Sequence, residues 1–246
     1  MCRLFRTYSV VFALLITIVS AEAQTTEEFL TGRFDPDTCM QFIKIDTAYC
    51  ENDSMYIQTA VYRAFLRMYY AALDEGIKLR IVSATRSFKR QRSIWETKWN
   101  ALQYDGITKC REILKYSSMP GTSRHHWGTD IDLCSTENYD WRTPEYQRIL
   151  KWLKLNAPRF GFYMPYNHSY YRTGYKYEPW HWSYYLFADE YTDALAELIP
   201  DSKISGFSGA ELASQLRIVQ TYVLGVKNPP HFRMRPMTVP YVEDYY

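Results

Sequence analysis

Ser123-Arg124-His125-His126-Trp127-Gly128-Thr129-Asp130-Ile131-Asp132 is the stretch on which the reading of this chain turns. His125 and Asp132 stand seven residues apart, a spacing that one straight strand would send to opposite faces. Gly128 and the close pair of aspartates argue against a helix that would align them. A bend near Gly128, followed by a strand through Asp130-Ile131-Asp132-Leu133, lets both side chains converge and turns Ile131 and Leu133 towards a core. Asp130 and Asp132 then share a face, and two acids side by side are hard to bury without a cation. A metal meets that need. An exposed acidic face beside two surface histidines is the alternative this segment leaves open.

Two further segments carry chemistry. In Glu178-Pro179-Trp180-His181-Trp182, the histidine offers a neutral imidazole nitrogen and the carboxylate three residues earlier can act as a general base. Pro179 and the alternating tryptophans favour an extended segment over a helix, and a histidine between two tryptophans also suits a packed core. A His/Asp/His set plus one Glu is the inventory of a catalytic zinc site with an open fourth position. Upstream, Ser83-Ala84-Thr85-Arg86-Ser87-Phe88-Lys89-Arg90-Gln91 follows an expected strand, which places Arg86 to meet a carboxylate or an oxyanion. A plain surface arginine is the other reading.

The ordered segments S-x-x-R-S-x-x-x-Q, S-x-H-x-x-G-x-x-x-D and E-x-W-H resemble those of VanY-type D-alanyl-D-alanine carboxypeptidases. These zinc peptidases share a fold with the D-Ala-D-Ala dipeptidases and the hedgehog signalling domain. The likeness runs from about Ile77 to Tyr184. It implies an α+β fold in which a small antiparallel sheet, flanked by helices, carries one Zn2+ per chain. It further implies His125, Asp132 and His181 as ligands, Glu178 as catalytic base, and Arg86 near the reacting carbonyl or the substrate carboxylate. Ser123 and Gln91 would line the substrate site. Trp180 and Trp182, with Tyr170, Tyr171, Tyr175 and Tyr177, would wall the cleft where they are not core. Asp130 departs from the family pattern, which has a small or apolar residue there; it either orients a ligand or competes with Asp132 for the metal. His126 is expected to be structural or at the rim, His168 to lie in a loop within reach of substrate, and His231 to be solvated. The implied substrate is a peptidoglycan stem peptide that loses its terminal D-Ala. An L,D-carboxypeptidase, a cross-link endopeptidase and a non-catalytic cell-wall binding module remain as alternatives.

The ends of the chain read differently from its middle. Arg3 and Arg6, the apolar run Val10 to Val19 and Ala21-Glu22-Ala23 form the pattern of a signal peptide, cleaved so that the mature chain begins at Gln24. The apolar run is shorter than the ~20 residues that span a bilayer, so an uncleaved anchor is the weaker reading and no stable membrane span is expected after cleavage. Export to the periplasm or beyond makes Cys39, Cys50, Cys110 and Cys134 candidates for two disulfides, and proximity favours Cys39–Cys50 and Cys110–Cys134. No CxxC pair supports a cysteine zinc site.

Patterning suggests an exposed lead-in from Gln24 to Asp37 and a helix capped at Asp53 or Ser54 with Ile57, Val61, Phe65, Met68 and Leu73 on one face. A strand over Ile77 to Ile81 follows, then helices over about Lys89–Leu102 and Thr108–Tyr116. Thr143-Pro144 opens another helix, Trp180, Trp182 and Tyr184 alternate as a strand does, and Ser208-Gly209-Ala210-Glu211 reads as a capping box for a last helix to about Leu224. With no internal repeat or low-complexity linker, residues 24–246 read as one domain with a Pro-rich tail from about 226. Of 246 residues, 29 are Lys or Arg and 27 Asp or Glu, without long runs of either sign. That balance sets nucleic acid aside as a partner. Aromatics at 17% exceed ordinary usage and supply both core and ligand-gripping surface. Composition is silent on oligomeric state.

Overall fold

A computed structural model describes residues 26–226. The signal-peptide reading, Cys2, His231 and the Pro-rich tail lie outside the described residues.

The chain opens with a short helix α1 (Glu27–Leu30), capped by the Thr26 hydroxyl, which accepts the Phe29 N–H. This segment is no exposed lead-in: Phe29 and Leu30 are buried, and the Leu30 carbonyl accepts the Trp127 indole N–H at 3.1 Å. Strands β1 (Phe42–Lys44) and β2 (Tyr56–Gln58) form a two-stranded antiparallel sheet. The helix expected from Asp53 therefore starts later, as α2 (Thr59–Asp74). Ile57 is already committed to pairing with Ile43, and Gln58 stays extended because its amide donates to the Trp127 carbonyl at 2.7 Å. Val61, Phe65 and Met68 make the buried stripe of α2, whereas Leu73 faces solvent and Ala72 takes the inward position.

Gly76, at φ +69°, ends that helix in the left-handed conformation glycine tolerates. Ile77, Leu79 and Ile81 then alternate inward as expected, with ladder pairing confined to β3 (Ile81–Ser83). Helices α3 (Phe88–Ala101) and α4 (Gly106–Ile113) follow, capped by Ser87 and Asp105. A 3-10 turn over Arg124–Trp127 leads through Gly128 into β4 (Asp130–Leu133). Then come α5 (Pro144–Asn156), capped by Thr143, the two-residue strand β5 (Phe162–Tyr163), β6 (His181–Tyr184) and α6 (Tyr185–Leu198).

The main sheet runs β3-β4-β6-β5, with every neighbouring pair antiparallel. One face carries Ile81, Ile131, Leu133 and Trp182 into a core shared with α2 and α5. A second core gathers α1, α3, α4 and α6 around Trp95, Trp127 and Leu195. The fold is α+β, as the sequence reading expects, and the polar face of the sheet turns away from the first core.

Two expectations are corrected. Past Gly209 the chain makes a 3-10 turn, a single helical turn α7 (Ala213–Leu216) and a π-type turn rather than one helix to Leu224. Ser208 is unavailable as a cap because its N–H and hydroxyl both bond the Glu96 carboxylate, and Arg217 breaks the run at φ +52°. The four cysteines are free thiols. Each expected pair is split between the two cores: Cys50 and Cys134 belong with the first, Cys39 and Cys110 with the second.

Candidate metal centre

The register of β4 on β6 builds the centre. Asp132 lies directly opposite His181, and Asp130 opposite Ser183, so four polar side chains share one face while Ile131 and Trp182 take the other. His125 arrives from the 3-10 turn. Gly128, at φ +69°, makes the bend that brings it over the strand, and a Cβ there would meet Phe42 at 2.4 Å. His125 Nε2 sits 3.2 Å from His181 Nδ1 and 3.3 Å from Asp132 Oδ2, and His181 Nδ1 sits 3.0 Å from Asp132 Oδ1. Zinc–ligand bonds of ~2.0–2.2 Å in a tetrahedron separate neighbouring donors by about 3.3 Å. The three spacings fit a single ion.

Hydrogen bonds behind the donors fix their tautomers. His125 Nδ1–H donates to the Ala84 carbonyl at 2.8 Å, leaving the Nε2 lone pair facing inward. His181 Nε2–H donates to Asp130 Oδ1 at 2.8 Å, leaving Nδ1 facing Asp132. Asp130 therefore stands behind His181 and orients it, which resolves the alternative left open at that position. Asp130 is itself held by Arg124, whose Nε donates to Oδ1 at 3.0 Å, and by the Thr129 hydroxyl. The Arg124 guanidinium also donates to Thr192, Tyr163 and Ser183, so this buried cation has its fork filled.

His125 and His181 are each 2% exposed, Asp132 and Glu178 5%, and Asp130 is fully enclosed. Burial opposes ionisation at His181, but the hydrogen bonds of Asp130 and Asp132 outweigh it and raise that imidazole to about 9. Burial lowers His125, with Arg86 adding to the effect. Asp132 is held well below the usual carboxylate range despite burial, by His125 and His181. Carboxylates thus outnumber cations around the donors, the electrostatic condition that a divalent ion relieves. Glu178 lies at the edge of the set, its Oε2 4.0 Å from His181 Nδ1. Burial pushes its carboxyl up to about 8, against the pull of His181, Arg86 and Lys98.

The other expected site residues have definite places. Arg86 is fastened through its backbone, its N–H donating to the His125 carbonyl and its carbonyl accepting His126 Nδ1–H. Its side-chain Nε is buried without a hydrogen-bond partner. Ser123 is buried two residues before His125, and its carbonyl accepts the His126 N–H. Gln91 donates to the Ser118 carbonyl at 2.8 Å, while its Oε1 has no partner. Trp180 and Trp182 pack in the first core, and Tyr175 in the second, not on a cleft wall. Tyr170 and Tyr171 are exposed, and His168 stacks on Tyr177 at 3.8 Å. His126 is structural: Nε2 accepts the Gly121 N–H at 3.0 Å, and the backbone of Gly32 closes over the ring. Arg124, Tyr166, whose ring lies 4.4 Å from that of His181, and Lys98 were not singled out by motif.

Comparison with known proteins follows this geometry. The model of the family VanY, D-alanyl-D-alanine carboxypeptidase, matches residues 54–187, more than half of the chain and all of the centre. The chain belongs to the VanY family. A Bacillus subtilis (strain 168) protein named "Putative carboxypeptidase YodJ" is 33% identical over 132 residues, covering 52% of this chain and 46% of that protein. The VanY chain thus spans about half the length of that curated relative. An uncharacterized Haemophilus influenzae protein is 29% identical over 108 residues, 38% of this chain and 70% of its own. Among solved structures, VanYB in complex with D-alanine-D-alanine has a TM-score of 0.47 at 19% identity over 74% of this chain and 83% of its own. The LdcB LD-carboxypeptidase has 0.47 at 23% identity, over 62% and 70%.

Proposed function

We propose that this VanY-family chain is a zinc-dependent carboxypeptidase that removes the terminal D-Ala of peptidoglycan stem peptides in the cell envelope. The observation that carries the reading is the convergence of His125, Asp132 and His181 lone pairs with Glu178 at the edge of the same face. His125 Nε2, His181 Nδ1 and an Asp132 oxygen hold one zinc ion per chain. Bound there, zinc supplies Lewis-acid polarisation of a peptide carbonyl and acidifies a neighbouring water towards pKa ~7.

Glu178 takes the proton of the attacking water and returns it to the departing amine. A carboxyl pushed upward by burial suits proton transfer in both directions near neutrality. Arg86 offers its guanidinium to the negative charge that develops on the carbonyl oxygen or to the substrate carboxylate. Ser123 and Gln91 line the substrate site. Asp130 and Arg124 keep His181 in the tautomer that presents Nδ1. The pattern of residues 1–23 supports a cleaved signal peptide and export, and residues 24–246 are taken as one peptidase domain with a C-terminal tail.

The test pairs zinc content with D-alanine release from a pentapeptide stem ending in D-Ala-D-Ala, comparing wild type with Glu178→Ala. One zinc per chain in both proteins, with release lowered about 10²–10⁴-fold in the variant, is the expected result. Zinc without release from any stem peptide would remove the carboxypeptidase reading, and an absence of zinc would remove the centre.

A further inference from the structure

Helix α3 brings a second cation to the cleft. Gln91, Trp95 and Lys98 fall at i, i+4 and i+7 and share one helical face, of which Gln91 and Trp95 are buried. Lys98 remains accessible along its stem, but its Nζ donates to the Ser117 hydroxyl at 2.5 Å, and Ser117 is itself buried. One residue on, the Ser118 carbonyl accepts the Gln91 amide. The Ser117–Ser118 segment therefore forms a floor to which the helix is tied at two points.

The electrostatics of this corner are unbalanced. The charges of Arg86 and Glu178 are both felt at Lys98, and those of Lys98 and Arg86 at Glu178. Burial lowers the Lys98 ammonium, and Arg86 lowers it further; Glu178 works the other way. Two cations thus face one buried carboxyl that burial biases towards its neutral form. Beside them, Arg86 Nε and Gln91 Oε1 are buried with no hydrogen-bond partner. Unpaired polar atoms in a protein interior are uncommon and call for a partner. A carboxylate answers the two cations, and its bearer's N–H answers Gln91 Oε1.

We propose that Lys98, together with Arg86, receives a carboxylate of the substrate, so that the pocket selects peptides by a negative charge beside the scissile bond. The proposal rests on the carboxypeptidase reading for the place of the scissile bond. The carboxylate comes either from the C-terminal residue or from a side chain on the residue before it. Lys98 binds and selects; the reaction itself belongs to Glu178.

The test is calorimetric binding to zinc-loaded Glu178→Gln protein, with and without Lys98→Met. The peptides are a stem with free C-terminal acid, the same stem as C-terminal amide, and a stem whose only free carboxylate is the side chain before the terminal residue. Lys98→Met should weaken the acid peptide by about 10–100-fold, the scale of a charge-assisted hydrogen bond, and the peptide without the relevant carboxylate by less than about 3-fold. Lys98→Arg should restore much of the difference. Whichever peptide loses affinity identifies the carboxylate. Zinc content and Tm confirm that each variant is folded. Unchanged discrimination in Lys98→Met, or equal binding of all three peptides to the Lys98 protein, overturns the proposal. Carboxylate selection without D-alanine release from wild type would sink the reaction and leave the pocket standing; release with selection untouched by Lys98→Met would sink the pocket alone.

Discussion

At the residue scale, the centre depends on one carboxylate behind the donors. Asp130 accepts from His181 Nε2 and from Arg124 Nε, so it sets a ligand's tautomer and neutralises a buried cation together. Asp130→Asn keeps the shape but loses the charge. It should lower zinc affinity about 10–100-fold, read by competition with a chelator of known affinity. Asp130→Ala should in addition cost about 3–5 kcal/mol in urea unfolding, because Arg124 is 4% exposed and would be left without its anion. Equal zinc affinity in wild type and both variants would show that Asp130 does not orient His181. His181→Ala should lose bound zinc altogether, by metal analysis after desalting. The ligands were legible in the sequence because His125, Asp132, Glu178 and His181 are residue types with few other reasons to cluster. Arg124 was not: an arginine beside two histidines gives no sign that its fork will close on four partners from distant segments. Lys98 was equally silent, since its meaning depends on Ser117, brought to it only by the packing of α3.

At the element scale, the β4–β6 ladder and the bend at Gly128 determine where the donors stand. Gly128 adopts a left-handed backbone with the Phe42 ring where a Cβ would be. Gly128→Ala should therefore cost about 2–4 kcal/mol, from the left-handed penalty and the clash together, and should lower zinc occupancy by displacing His125. A variant as stable as wild type in thermal unfolding would mean that the turn relaxes freely. Thr143→Ala, which removes the cap of α5 far from the centre, should cost about 0.5–2 kcal/mol with zinc content unchanged. Periodicity located α3, α5 and β6 closely, because each carries its own cap or alternation. It misplaced the start of α2 and the end of the fold for physical reasons. Ile57 suits a helical stripe and a ladder equally, and pairing with β1 decides the matter. Ser208 and Glu211 have the spacing of a capping box, but Glu96, more than a hundred residues earlier, takes the serine first.

At the scale of the whole molecule, the donors join the strand β4, the turn before it and the strand β6 on the seam between two apolar cores. A ligand that binds only the folded chain stabilises it by about 2.7 kcal/mol at 100 times its Kd. For a domain of this size that corresponds to about 5–10 °C in Tm. Chelation of the zinc-loaded protein should lower Tm by that amount, and zinc but not magnesium should restore it. No shift on chelation would separate the centre from stability. The two cores also explain why cysteine arithmetic misled. Counting an even number in an exported chain invites pairing, yet sequence proximity does not show that Cys50 and Cys39 fall into different cores.

The seat of α1 bears on the order in which the chain can fold. Leu30 accepts from Trp127, the Gly32 carbonyl accepts the Phe88 N–H, and the Phe29 ring meets Tyr191 at 5.0 Å. Every surface that holds this segment is made after it, the last of them on α6. On a ribosome that works from the N-terminus, the first described helix is thus among the last to settle. It stays loose while the sheet assembles and then closes over the back of the histidine turn.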